Sequence, residues 1–208
     1  MRIEKAAATP DRAGRYWIRF DDGTSMGLYR QTVEDFGLYA GLELNETQME
    51  QLRAAAGEMS AKMRAVRIVS ASAVSKKDLQ QRLIHKGEDP EQAMAAVQWM
   101  ADMNLLDDRK TAEQIVDRCI RKGYGLSRAK QALYEKRIPK NIWDEVLADY
   151  PDQTDEIKTF LESRLGDDPQ EKDVRRAIDA LIRRGHSYGT IRKVLQRLSM
   201  DSEEYLED

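Results

Sequence analysis

The chain is poor in cysteine, proline and aromatic residues, and each shortage excludes something. A single cysteine, Cys119, cannot form an internal disulfide, so no disulfide framework holds this fold. The two histidines, His85 and His186, lie far from Cys119 in sequence, and no thiol or imidazole cluster has metal-ligand spacing. Five prolines in 208 residues leave long stretches free to be helical, and an aromatic content of 7% suits a helical protein better than a sheet protein. Long apolar runs are missing too. The first residues, MRIEKAAATPDR, lack the hydrophobic core of a signal peptide, and no later stretch reaches membrane-spanning length. The expected setting is a reducing cytoplasm, with no membrane partner. Nucleophile–base constellations and nucleotide loops are likewise missing, so the expectation is a non-enzymatic protein with no catalytic residue, cofactor or metal.

Charge is abundant instead, at 34% of residues, and the formal net value of −3 conceals its distribution. Lys and Arg against Asp and Glu number 7 to 10 over residues 1–60 and 17 to 12 over 61–147. They number 2 to 7 over 148–170, 8 to 3 over 171–200 and 0 to 5 over 201–208. Basic helical blocks therefore alternate with acidic connectors. A basic surface suits nucleic acid or an acidic protein groove, and equally an ordinary solvated helix face.

The N-terminal residues RYWIRF (15–20) alternate apolar Tyr16, Ile18 and Phe20 with Arg15, Trp17 and Arg19. Asp22-Gly23 and the run TSMGLY follow, which is a hairpin signal, and residues 2–8 offer a third strand. QTVEDF (31–36) reads as a short helix stopped by Gly37, and Leu38, Leu42 and Leu44 as apolar anchors. From Asn45 the pattern is helical throughout. The first run, 46–70, reads as one helix or as two meeting near Gly57.

Three later stretches align without gaps: DLQQRLIHKGEDPEQAMAAV (78–97), RAKQALYEKRIPKNIWDEVL (128–147) and RAIDALIRRGHSYGTIRKVL (176–195). Leu79, Ala129 and Ala177 coincide, as do Leu83, Leu133 and Leu181, then Ile84, Tyr134 and Ile182. A basic residue follows in each (Lys86, Lys136, Arg184), then Gly87, Arg137 and Gly185. Each stretch reads as helix, turn, helix, with Gly as the left-handed C-cap. Arg137 breaks that rule, and Pro139 is expected to shape the second turn instead. A further helical segment precedes each stretch, so the repeating unit is three helices at a period near fifty residues. Ser75, Asp107 and Ser187 are candidate N-caps. Trp99, Trp143 and Tyr134 sit at apolar helical spacing and read as core. Asp107-Asp108 reads as a helix cap rather than a metal or acid–base pair, and Gly123-Tyr124-Gly125 as a turn rather than a phosphate loop.

The fold expected is mainly α: three tandem three-helix repeats forming an elongated curved solenoid, preceded by a small N-terminal module containing a β-hairpin. The expected boundaries are 1–45 for the module, then 46–106, 107–151 and 152–200 for the repeats, with an acidic tail at 201–208. That tail is either a solvated end or a segment folded over the basic C-terminal hairpin, where it would compete with nucleic acid.

The signatures VSKKDLQQRLIHKG, LLDDRKTAEQIV, GYGLSRAKQAL and ALIRRGHSYGTIRKVL, in this order and spacing, resemble the RecX regulatory proteins. The resemblance covers roughly residues 60–198, and GRYWIRFDDGTSMGLYRQTVEDFGLYAGLEL is similar to an N-terminal extension that some members carry. Two departures stand out: Asp78 where the family has Glu before Leu79, and Arg137 where the middle repeat has Gly. The resemblance implies a three-repeat helical modulator lying along the groove of the RecA–DNA filament. Such proteins inhibit filament growth, strand exchange and coprotease activity. The expected partner is then the RecA recombinase filament, with single- or double-stranded DNA as a second, and the chain is expected to be a monomer. Candidate partner-binding residues are Lys86, Lys136 and Arg184 at the turns. Arg175, Arg176, Arg183, Arg192 and Lys193 add a denser group around the last hairpin. The turn cations are explained equally well by the dipole of the helix that each one ends. Two other classes remain open: a helical DNA-binding protein acting directly through that basic hairpin, and a protein scaffold unrelated to recombination.

Overall fold

The computed structural model describes residues 1–166 and 169–198, so the acidic tail expected at 201–208 lies outside the described residues. The described chain is mainly helical, with ten helices after a small antiparallel sheet, as expected from composition and periodicity. It divides into two compact units, Met1–Leu106 and Asp107–Asp208.

In the first unit, strands β1 (Ile3–Ala6), β2 (Arg15–Phe20) and β3 (Ser25–Tyr29) pair in sequence order. The hairpin forms where Asp22-Gly23 predicts it. Gly23 takes φ +83°, and the Asp22 carboxylate accepts hydrogen bonds from the Thr24 N–H and hydroxyl. Strand alternation puts Ile18, Phe20, Ile3 and Leu28 on one face, all essentially solvent-free. Three strands cannot cover that face alone. It is closed by Leu38 and Leu44, by helix α1 (Arg30–Asp35), and by Met49 and Leu52 from the start of α2 (Glu46–Ala71).

Helix α2 is a single 26-residue helix, started by a reciprocal capping box between Asn45 and Gln48. Gly57 does not break it. The missing side chain accommodates the amide of Gln92 from α4 (Pro90–Asp102), which would collide with any Cβ there. The helix therefore serves two cores. Met49, Leu52 and Ala56 face the sheet, while Ala61 and Ala65 pack with α3 (Lys76–His85) and α4 around Leu79, Leu83, Ala93 and Met100.

The second unit holds two further three-helix groups. Helices α5 (Asp108–Arg121), α6 (Leu126–Glu135) and α7 (Lys140–Leu147) enclose Ala112, Val116, Cys119, Ala129 and Leu133. Helices α8 (Thr154–Arg164), α9 (Glu171–Arg183) and α10 (Tyr188–Arg197) enclose Ile157, Leu161, Val174, Leu181, Ile191 and Leu195. The predicted caps are in place: Ser75, Asp107 and Ser187 each accept an N–H from the first turn of α3, α5 and α10. Trp99 and Trp143 pack against their cores as expected. Tyr134 does not. It is 65% exposed on the outer side of α6, because the core beneath that helix is already filled by Ala129 and Leu133.

Candidate partner-binding surface

The aligned turn is the same object three times. Lys86, Lys136 and Arg184 are the C-caps of α3, α6 and α9. The next residue in each copy takes the left-handed conformation, with φ +90° at Gly87, +53° at Arg137 and +86° at Gly185. The following N–H then reaches back five residues: Glu88 to the Leu83 carbonyl at 3.1 Å, Ile138 to Leu133 at 3.0 Å, and His186 to Leu181 at 3.1 Å. This is the paired-bond Schellman ending, which satisfies carbonyls that a helix end leaves open. Pro139 therefore does not substitute for glycine in the second copy. Arg137 adopts the left-handed geometry itself, and Pro139 is the N-cap residue of α7.

The residue after each left-handed position is buried, and sequence reading passed over it. In the middle copy it is Ile138, an ordinary apolar plug. In the first it is Glu88, whose carboxylate is held by the Arg64 guanidinium at 2.7 Å and the Ser60 hydroxyl at 3.0 Å. In the third it is His186, whose Nε2–H donates to the Gly123 carbonyl at 3.0 Å. Burial, with Arg184 nearby, holds the His186 pKa below its ordinary 6.5 despite that bond and Glu156, so the neutral tautomer is the folded form. The column of the alignment containing Ile138 carried the only signal for this position.

Around His186 two glycine loops interlock. The Gly125 N–H donates to the Arg184 carbonyl at 2.9 Å, and the Ser127 N–H to the Gly185 carbonyl at 3.3 Å. A Cβ on Gly125 would strike the Gly185 carbonyl, and one on Gly185 would strike the backbone of Arg128. The Tyr150 hydroxyl donates to the Tyr124 carbonyl at 2.6 Å, and burial pushes its pKa up to about 12. The Gly123–Gly125 segment is thus a turn, as read from the sequence, and also one half of a joint between helix groups. A recess of about 270 Å³ beside it is lined by Gly125, Tyr150, Gln153, His186 and Ser187. It has no clear charge preference, because Asp152 lines it beside the starts of three helices.

The candidate cations divide by environment. Lys86 and Arg183 are exposed and Lys136 is half-buried. Arg184 is half-buried and stacks on Phe160 of α8, 4.6 Å from the ring centre, so it has a structural task within its own group. Arg175 pairs with Glu171 at 2.8 Å and Arg176 with Asp173 at 3.5 Å along α9. Exposed pairs of this kind contribute roughly 0.2–1 kcal/mol and leave the guanidinium available to a competitor. Arg192 and Lys193 are exposed on α10. Arg183 and Lys193 form no ion pair among the described residues. Arg175, Arg176 and Arg183 are thus exposed on α9 and Arg192 and Lys193 on α10, while Lys86 belongs to the other unit.

Burial raises the pKa of Cys119 against the pull of Arg128, Lys122 and Arg118, the opposite of an activated thiol. Among the described residues no group of three or more His, Cys, Asp or Glu could hold a metal ion, and no helix is long and apolar enough to cross a membrane.

Residues 107–147, the α5–α7 group, match the family model of the second three-helix domain of RecX. The regulatory protein RecX of Chlorobaculum tepidum is 31% identical over 135 residues, covering 64% of this chain and 84% of that protein. The regulatory protein RecX of Clostridioides difficile is 25% identical over 98% of this chain and 97% of its own length, so the similarity extends through the N-terminal sheet. A crystal structure of regulatory protein RecX superposes with a TM-score of 0.62 over 94% of this chain and 98% of that one, at 20% identity. With the turn signatures in their expected order on three-helix groups, these likenesses show that the chain belongs to the RecX family of regulatory proteins.

Proposed function

We propose that this protein binds the RecA–DNA filament and inhibits recombinase and coprotease activity, acting by occupancy rather than by chemistry. The observation that carries the reading is the threefold turn. One backbone geometry presents a cation at the same helix end in each of three helix groups, in a chain of the RecX family. A periodic partner meets such an array with several modest contacts, which act together at high effective concentration. In this reading 46–106, 107–151 and 152–200 are the three contact units. Lys86 and Arg183 supply exposed charge, Lys136 is the half-buried cation of the second turn, Arg175, Arg176, Arg192 and Lys193 extend the third unit, and Arg184 combines contact with packing on Phe160.

Filament assembly and ATPase activity of the cognate RecA, measured at sub-stoichiometric amounts of this protein, test the proposal. Inhibition is expected, and it is expected to weaken at least tenfold in an Arg183→Glu, Lys193→Glu variant. No effect of the wild-type chain on a cognate RecA, with DNA binding intact, would sink it. A second reading, direct action on nucleic acid through α9 and α10, is favoured by the cluster of exposed cations there. It predicts that the same two substitutions abolish DNA binding in the absence of RecA.

A further inference from the structure

The outer face of the N-terminal sheet carries an aromatic–cation constellation that neither the helical repeats nor the turn cations explain. Trp17 lies on β2, opposite Gly27 of β3, and its ring lies over the glycine, within 3.5 Å of where a Cβ would stand. Covering a bare strand position accounts for part of the indole, yet Trp17 remains 44% exposed. Its position is fixed. The Asp11 carboxylate accepts the indole Nε1–H at 3.2 Å, and holds the Arg15 guanidinium by bonds of 3.0 and 2.9 Å. It also accepts the backbone N–H groups of Ala13 and Arg15. These bonds, the Arg15 backbone N–H first among them, hold the Asp11 carboxyl at about 2, so the anchor is ionised throughout the neutral range. Arg15 in turn lies 5.3 Å from the indole centre.

The same face bears Arg19, two residues along from Trp17, and Lys5, its cross-strand neighbour. Arg19 meets Glu4 only at 3.4 Å with both side chains at least half exposed, and Lys5 forms no ion pair among the described residues. Arg67 of α2 joins at the margin, donating to the Ala13 carbonyl at 2.7 Å and the Tyr29 hydroxyl at 3.2 Å. Asp11 and Glu4 thus face four cations. The N-terminal sixty residues are acidic as a whole, so this basic excess is local to one face.

We infer that this sheet face is a binding surface for single-stranded nucleic acid, with Trp17 as a stacking platform for a base and Lys5 and Arg19 as phosphate contacts. A clamped, half-exposed indole among cations is the combination that sequence-tolerant single-strand sites use. A duplex hides the base faces that an indole would stack on, and an acidic peptide would use the cations but not the ring. The inference is independent of whether RecA is the target.

Titrating the full-length chain with fluorescein-labelled oligothymidylate, reading anisotropy and tryptophan fluorescence together, tests it. Binding should quench tryptophan emission, and Trp17→Phe should remove most of that quench while weakening binding less than Trp17→Ala. Trp17→Ala should weaken binding roughly five- to tenfold or more. Because Trp17→Ala uncovers Gly27 and removes a cross-strand contact of the sheet, Lys5→Glu, Arg19→Glu is the second arm. It alters only exposed side chains and should weaken binding and flatten its salt dependence. Unchanged affinity in that charge variant, or no quench in the wild type, overturns the inference, as does equal competition by polyglutamate. Arg183→Glu, Lys193→Glu separates the two sites: loss of RecA inhibition with the Trp17 quench preserved supports the sheet surface whatever the fate of the filament proposal.

Discussion

At the scale of single residues, His186 is where burial and ionisation meet. Its folded pKa lies below the free value of 6.5, so the unfolded chain binds a proton more readily. Stability from this group is therefore fully present above that value and falls as the pH drops from about 6.5 toward the lower folded pKa. Urea midpoints measured between pH 7.5 and 5.5 should decline, and the decline should shrink in His186→Gln. Three glycines offer a cleaner comparison. Gly87 has φ +90° and open space around it, so Gly87→Ala should cost about 1 kcal/mol from backbone conformation alone. Gly125 has an ordinary φ of −75° but no room, so Gly125→Ala should cost about 1–3 kcal/mol from collision alone. Gly185 combines both, and Gly185→Ala should have the lowest thermal midpoint of the three. A Gly87→Ala variant as unstable as Gly185→Ala would refute this account of the joint.

At the scale of elements, the turn is a module whose backbone is constant and whose plug varies. Arg137 shows that the ending does not require glycine. The second turn accepts a left-handed arginine, at a conformational cost of about 1 kcal/mol, because the two back-reaching bonds and the buried Ile138 hold it there. The first turn carries a heavier liability. Glu88 is buried with Arg64 as its cation, and the Arg64 Nη1–H also donates to the Lys86 carbonyl. Arg64→Ala should destabilise the first unit by about 2–3 kcal/mol, read by denaturant melting, because it strands a buried carboxylate. Among the described residues, Ser60 alone would remain to bond it. Most elements were legible locally. Strand alternation at 15–20, the Asp-Gly turn and the caps at Ser75, Asp107 and Ser187 each depend on contacts within a few residues. Tyr134 was not legible, since i, i+4 spacing marks a face without saying whether a neighbour covers it. Helix α2 was ambiguous at Gly57 for a similar reason: the Gln92 amide that requires a glycine there lies far along the chain.

At the scale of the whole molecule, exposed cations fall in both units, those of the sheet face in the first and those of α9 and α10 in the second. If the turn cations Lys86 and Lys136 and the exposed neighbour Arg183 contact the filament's charged groove, affinity should fall steeply between low and physiological salt. A Lys86→Gln, Lys136→Gln, Arg183→Gln variant should bind more weakly at low salt with a shallower slope. Equal slopes, measured by sedimentation of the filament complex at several salt concentrations, would count against a role for these three cations.

Periodicity, caps and the recurrence of one phrase were enough to specify the helical class and the N-terminal sheet, because both rest on short-range spacing that a linear chain displays directly; the family came from the resemblance of the ordered signatures to RecX proteins. What required the folded chain was everything set by residues far apart in sequence. His186 bonded to Gly123, Gly125 pressed on Gly185, Arg184 stacked on Phe160, and a tryptophan clamped by Asp11 above Gly27 are all of that kind. Burial and close approach depend on which surfaces meet, and spacing along one segment does not encode its neighbour.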